Sequence, residues 1–155
     1  MYRYDSSAKK YVKLADVSAS TLTYRDSGLT AGSKYKYKVI ASATNSAGTT
    51  LGKGSKVYTA ATKSPQPTVK KTKSSKNAVR LYWSKVSCTG YKIQQYDAST
   101  KTWKTVRIVS AKTTNAAVSG LKSGKSYKFR VVPFTRTSGK TVTGKASKAV
   151  KATTK

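Results

Sequence analysis

The chain has no histidine and a single cysteine, Cys88, in 155 residues. Without histidine there is no imidazole base, and no zinc, copper or iron site built on imidazole. The acidic residues are four aspartates, Asp5, Asp16, Asp26 and Asp97. They are too few for paired-carboxylate hydrolysis or for a calcium cage. One thiol makes neither an internal disulfide nor a thiolate cluster. Proline is scarce, at three residues, and no apolar run approaches the length of a membrane-spanning helix. These absences exclude most enzyme chemistry and leave a binding, spacing or scaffolding role, with no cofactor and no metal expected.

Against the four acids stand 32 lysines and arginines, for a formal charge of +28. Apolar residues make up 37% of the chain, but 11 Tyr, 2 Trp and 2 Phe are far more than a disordered cationic tail carries. A packed core under a very basic surface is expected. Abundant Ser, Thr, Tyr and Gly favour strands and turns over helices. The length allows one ordinary domain or two small ones.

Sliding the chain against itself by 92 residues exposes an ungapped tandem repeat. Tyr4-Asp5 falls on Tyr96-Asp97, Tyr11 on Trp103, and Val17-Ser18-Ala19 on Val109-Ser110-Ala111. Ser27-Gly28-Leu29 falls on Ser119-Gly120-Leu121, and Tyr35-Lys36 on Tyr127-Lys128. The register holds through Gly52-Lys53 and Gly144-Lys145 to Thr62-Lys63 and Thr154-Lys155. Two prolines in Ser64-Pro65-Gln66-Pro67 mark a short, stiff linker over 64–67. The second repeat then runs over 67–155. The first, over 1–63, is incomplete, because Met1 aligns with Ile93. Met1 therefore reads as an internal start of a longer natural chain.

Within the second repeat, Val79, Leu81 and Trp83 alternate with Arg80, Tyr82 and Ser84. Tyr91 and Ile93 alternate with Lys92 and Gln94, and Tyr127, Phe129 and Val131 with Lys128, Arg130 and Val132. This period of two describes strands with one buried and one wet face, hence antiparallel sheets. About seven such strands per repeat, separated by turn residues, read as a β-sandwich.

The residues Val79-x-Leu81-x-Trp83, Gly90-Tyr91-x-Ile93, Leu121-x-x-Gly124-x-x-Tyr127-x-Phe129-x-Val131 and Gly144-x-x-Ser147 together resemble a fibronectin type III domain. Leu29-x-x-Gly32-x-x-Tyr35-x-Tyr37-x-Val39 and Gly52-x-x-Ser55 repeat the second half of that pattern. The resemblance implies an all-β, immunoglobulin-like sandwich in tandem, with strands A-B-E facing C-C′-F-G. It implies that the first copy lacks strands A and B and most of C, so residues 1–63 should be the less stable part. The implied core is Val79, Leu81, Trp83, Tyr91, Ile93, Leu121, Tyr127, Phe129 and Val131. Tyr35 and Tyr127 are implied as tyrosine-corner residues, bonding the backbone at Leu29 and Leu121. The Lys- and Tyr-rich flavour is similar to repeats of large bacterial cell-surface and secreted proteins. An extracellular location follows from that resemblance alone.

Little in the residues points to chemistry. Ser-x-x-Lys, as in Ser6-Ser7-Ala8-Lys9, is used by some hydrolases. It occurs here no more often than 21 Ser and 26 Lys give at random. Asp5 and Asp97 are repeat equivalents in turns, not a catalytic pair. Cys88 reads as a partly buried free thiol. The segments Ala43–Thr50 and Thr135–Val142, expected as polar F–G loops, hold no Arg-Gly-Asp, and Arg25-Asp26 lies in another turn.

The recurring aromatic pairs Tyr96/Trp103 and Tyr4/Tyr11 stand on the C–C′ hairpin. They support either their own hairpin as cross-strand pairs or a sugar ring stacked on an exposed face. The charge is carried by lysines spread over strands, turns and linker, with only six arginines, which suits a diffuse attraction to polyanions rather than sequence-specific nucleic-acid reading. The reading that follows is a non-catalytic spacer or surface-display module of a longer polypeptide, whose partners are its neighbouring domains and anionic wall polymers or polysaccharide. The alternatives are an accessory carbohydrate-binding module and a generic polyanion or nucleic-acid binder. No membrane insertion is expected.

Overall fold

The computed structural model describes residues Met1–Lys155. All regular structure is β, and no helix is long and apolar enough to cross a membrane. The chain divides into two compact units, one of Met1–Leu29 with Lys34–Ala61 and one of Thr30–Ser33 with Thr62–Lys155.

The second unit contains β7 (Val69–Ser74), β8 (Ala78–Trp83), β9 (Gly90–Asp97), β10 (Thr102–Ser110), β11 (Asn115–Ser119), β12 (Ser126–Arg136), β13 (Thr141–Thr143) and β14 (Val150–Thr153). One sheet has the order β11-β8-β7; the other has β10-β9-β12-β13, with β14 also on β12. All pairings are antiparallel. The alternation legible in the sequence sets the inner faces. Val79, Leu81 and Trp83 of β8 are buried, and so are Tyr91 and Ile93 of β9 and Phe129 and Val131 of β12. Leu121 closes the core from the turn before β12, and half-buried Tyr127 packs at its margin. Each such side chain contributes about 1.5–3 kcal/mol by leaving water. Trp83 and Tyr91 meet edge to face, with centroids 5.5 Å apart. The indole N–H of Trp83 is buried without a hydrogen-bond partner, a cost of about 1–3 kcal/mol that packing must offset.

Two tyrosines tie their hydroxyls to backbone five residues upstream. Tyr127 Oη accepts from the Lys122 N–H at 2.9 Å. This is one residue beyond the Leu121 position that the sequence suggested, because Leu121 gives its own N–H to the Asn77 carbonyl. Tyr91 Oη accepts from the Val86 N–H at 2.9 Å. Ser64–Pro67, expected as a linker, packs onto this unit: Ser64 Oγ lies 3.1 Å from the Thr135 hydroxyl, and Pro67 is fully buried.

The last strand of the sandwich is split into β13 and β14, and a serine bridges the gap. Ser147 N–H donates to the Val131 carbonyl at 2.8 Å, while Ser147 Oγ accepts from the Val131 N–H at 2.9 Å. A hydroxyl thus stands in for a missing backbone acceptor. Ser55 does the same for Val39 in the first unit, at 2.8 and 2.9 Å.

The first unit contains β1 (Tyr2–Asp5), β2 (Lys10–Lys13), β3 (Lys34–Lys38), β4 (Ile40–Asn45), β5 (Gly48–Gly54) and β6 (Tyr58–Ala61). Its main sheet has the order β2-β1-β3-β6, and β4 and β5 form a separate hairpin. The segment Ala43–Thr50 is therefore largely paired strand rather than loop. Its Thr44 and Thr49 hydroxyls meet across the ladder at 2.9 Å, and Asn45 Oδ1 accepts from the Ala47 N–H to tighten the turn. The other expected loop shortens likewise, since Thr135 pairs with Val142 and Arg136 with Thr141.

No strand forms between β2 and β3, so the equivalent of β11 is missing, and residues 1–63 contain no equivalent of β7 or β8 over the main sheet. Val39 is accordingly 50% exposed where its equivalent Val131 is 0% exposed. A polar cluster occupies part of that face. Asp26 Oδ2 accepts from Arg3 Nη1 at 2.8 Å and from the Tyr37 hydroxyl at 2.8 Å. The equivalent positions in the second unit are Gln95, Val118 and Phe129. Burial and the Asp26 hydrogen bond push the Tyr37 phenol up to about 12.

Two outcomes follow. Ser147→Ala leaves the buried Val131 N–H without a partner and should cost the second unit about 1–3 kcal/mol in denaturant unfolding, with Ser55→Ala costing less because Val39 is half exposed. Amide exchange should be faster in β1, β2, β3 and β6 than in β8, β9 and β12; equal protection would contradict the uncovered-sheet account.

Candidate functional site

The aromatic pairs flagged in the sequence lie on two hairpins built alike. In the second unit, β9 turns into β10 through Ala98–Lys101, with Lys101 at φ 53. In the first, β1 turns into β2 through Ser6–Lys9, with Lys9 at φ 51. A lysine in the left-handed region costs about 1–2 kcal/mol, and the aspartate opening each turn opposes that cost. Asp97 Oδ1 accepts from the Ser99 N–H at 2.9 Å and the Ser99 hydroxyl at 2.6 Å. Asp5 Oδ1 accepts from the N–H groups of Ser7 and Ala8 at 2.8 and 3.0 Å. Lys104 Nζ closes the second hairpin on Asp97 Oδ2 at 2.6 Å. The Lys104 ammonium, followed by the Ser99 hydroxyl and backbone N–H groups, holds the Asp97 carboxyl well below the usual carboxylate range. The backbone N–H groups of Ala8 and Ser7 lead the lowering of Asp5, with the charges of Arg3 and Lys10 adding to it.

Trp103 stands directly opposite Tyr96, and Tyr11 opposite Tyr4. Ring centroids are 5.3 Å apart in both pairs, at interplanar angles of 59° and 65°. Neither pair is a flat platform. Each ring also faces a cation from β12 or β3, the next strand for Tyr96 and Tyr4 and the one beyond it for Trp103 and Tyr11. Arg130 Cζ lies 4.4 Å from the Trp103 centroid and Lys128 Nζ 5.7 Å from that of Tyr96. Lys38 Nζ lies 4.5 Å from the Tyr11 centroid and Lys36 Nζ 5.6 Å from that of Tyr4. The four contacts are repeat equivalents. Arg130 is pinned further, since its Nε donates to Gln94 Oε1 at 2.7 Å; burial draws its pKa down. A sugar ring stacking on the Arg130 side of Trp103 would have to displace that guanidinium.

Sequence reasoning found the rings but missed their cations. The available signal was two basic residues at i+1 and i+3 after two repeat-equivalent tyrosines: Lys36 and Lys38 after Tyr35, Lys128 and Arg130 after Tyr127. Cys88 is half-buried and unpaired, and burial pushes its thiol pKa up, against nucleophilic use near neutral pH. No group of three or more His, Cys, Asp or Glu side chains is placed to hold a metal ion.

The family model of the fibronectin type III domain matches residues 63–152, more than half of the chain. The chain belongs to the fibronectin type III family. A two-domain fibronectin type III segment of chicken tenascin is similar to it with a TM-score of 0.56 at 16% identity, over 99% of this chain and 83% of that one. The FN1–FN3 domains of chicken CNTN1 are similar with a TM-score of 0.53 at 22% identity, over 85% of this chain and 46% of that one. A β-1,2-glucanase from Parabacteroides distasonis gives a TM-score of 0.49 at 17% identity, over 57% of this chain. The chain spans 12% of that glucanase and less than half of the CNTN1 segment. At these identities the likeness to tenascin and CNTN1 shows the fold, that of tandem fibronectin type III domains.

The depressed Asp97 pKa has a definite sign. Its carboxylate stabilises the hairpin fully above the ordinary aspartate value of about 4, and that stability is lost as pH falls toward its lower folded-state value. Asp97→Asn should melt lower than wild type at pH 7 and show a shallower loss of melting temperature on acidification. Parallel acid slopes would mean that the Lys104 and Ser99 contacts do not act on stability.

Proposed function

We propose that the chain is a non-catalytic spacer and display segment of a bacterial cell-surface or secreted protein. Its immediate partners are the neighbouring domains of the same longer polypeptide. One observation supports this above others: what recurs at equivalent positions in both units is structural hardware. The aspartate-capped turn, the cross-strand aromatic pair and the strand-bridging Ser55 and Ser147 all hold backbone in place. None of them brings a nucleophile to a base. A tandem of such units extends a polypeptide by folded, protease-resistant length.

The carbohydrate-binding reading draws less support from the geometry, because the rings are tilted and faced by cations. Sequence-specific nucleic-acid reading draws none from a lysine-dominated surface.

The test is a display assay. The chain is placed between a wall anchor and an upstream epitope, and antibody access is measured on intact cells. Access should fall when the segment is deleted or carries the core-disrupting Trp83→Ala. Unchanged access in both cases would overturn the spacer role.

A further inference from the structure

Part of the positive charge is seated on aromatic rings at repeat-equivalent positions of the two units. In the second unit, the outward side of the sheet containing β9, β10 and β12 carries cations seated on rings: Lys128 on Tyr96 and Arg130 on Trp103. Farther along β12 the outward positions hold buried Val132 and Phe134, and Lys92 of β9 and Arg136 of β12 lie 5.8 and 5.6 Å from the Phe134 centroid. Residues i and i+2 on a strand are about 6.6–6.8 Å apart, so Lys128 and Arg130 form a close pair of charges on one face. The first unit repeats it with Lys36 on Tyr4 and Lys38 on Tyr11.

No carboxylate neutralises these ring-seated cations. The three ion pairs of the molecule join Arg3 to Asp26, Lys13 to Asp16 and Lys104 to Asp97. Asp97 is the only acid of its repeat and is occupied by Lys104. A ring beneath a cation restricts the side chain before any ligand arrives and leaves its outward N–H groups free, which lowers the ordering cost of binding an anion.

We propose that the outward face of the β9-β10-β12 sheet, and its repeat on β1-β2-β3, is a docking strip for a linear phosphate-ester polymer without bases, of the polyol-phosphate kind. The choice of occupant follows from the rings. Single-stranded nucleic acid binds basic grooves by stacking bases on open aromatic faces. Here the faces are covered by cations and the rings are tilted, so charge is offered and stacking is not. Lysines in a row suit phosphate groups as point charges. This deepens the surface-display reading and rests on it for the setting in which such a polymer is met, but binding is measured apart from display.

The experiment uses the full chain and purified polyol-phosphate polymer as the probe, at about 0.15 M salt, where the Debye length is about 8 Å. One variant carries Lys36→Gln, Lys38→Gln, Lys128→Gln and Arg130→Gln. A second, of equal net charge, carries Lys70→Gln, Lys73→Gln, Lys76→Gln and Arg80→Gln on the opposite sheet and its β7–β8 turn. The strip variant should lose affinity at least about tenfold more than its partner, and its salt slope should fall as phosphate contacts are removed. Equal loss in the two variants would reduce the attraction to overall charge and overturn the proposal, as would tighter binding of single-stranded DNA matched in charge. Melting curves identify a variant that fails to fold. In that event, Lys36→Arg with Lys128→Arg must keep wild-type affinity, while Lys36→Glu with Lys128→Glu must lose it; any other result overturns the strip. Loss of the strip with epitope display intact would leave the spacer role standing.

Discussion

A β-sheet with one apolar face is stable in water only when a second layer covers that face. In the second unit β8 supplies the centre of the covering layer. Val79, Leu81 and Trp83 meet Tyr91, Ile93, Phe129 and Val131, and none of these seven is more than 2% exposed. Everything else in that unit depends on this contact. The tyrosine ties at Val86 and Lys122, the serine bridge at Val131 and the closing Leu121 hold the rims of a core that already exists. The first unit has the same sheet without the layer. It places an ion pair and a phenol where its neighbour has Gln95, Val118 and Phe129. Asp26 there is 14% exposed at its side chain. Charges so held stabilise mainly through their mutual contact and give no net driving force comparable to apolar burial.

Features set by local pattern were legible in the sequence. The alternation in 79–83, 91–93 and 127–131 gives the inner faces directly, since a one-residue slip would turn every one of those side chains to water. The repeat equivalence of Asp5 and Asp97 gives the turns, because a short carboxylate two or three residues before backbone N–H groups caps them by local geometry. Features set by pairing between distant strands were not legible. Nothing in Ala43–Thr50 shows that its threonines hydrogen-bond across a ladder, since polar β-branched residues serve loops and exposed strands equally. The tyrosine-corner partner moved from Leu121 to Lys122 because Leu121 is engaged by Asn77, in the turn between β7 and β8. The cation partners of the rings depend on β12 lying beside β9, a contact between residues far apart in sequence.

The serine bridges show how these sheets tolerate a break. A strand interrupted between β13 and β14 would leave the N–H of Val131 buried and unpaired, and a hydroxyl from Ser147 meets it. The Lys148 carbonyl then accepts the hydroxyl proton at 2.9 Å, so every group in the chain of hydrogen bonds has a partner. Ser55 reproduces the arrangement with the Lys56 carbonyl at 3.0 Å. The device survives in the unit that lacks a covering sheet. It is therefore a property of the strand pair and does not require a closed core.

The lysines meet two demands with one set of positions. On exposed strands such as β2 and β7 they guard sheet edges against pairing with other chains. That purpose needs charge but no fixed placement, and one basic residue serves as well as another. On β3 and β12 the placement is fixed. The positions one and three residues after Tyr35 and Tyr127 carry cations in both units, each over the ring that strand pairing brings beneath it. Covering a ring supports the hairpin, and a cation that covers a ring still presents its remaining N–H groups outward. The Tyr96/Trp103 hairpin and the charged pair of Lys128 and Arg130 therefore share the same atoms, and a side chain replacing Lys128 must both cover the ring and retain charge to preserve both. Arginine meets that condition; glutamine meets it in part; glutamate reverses it.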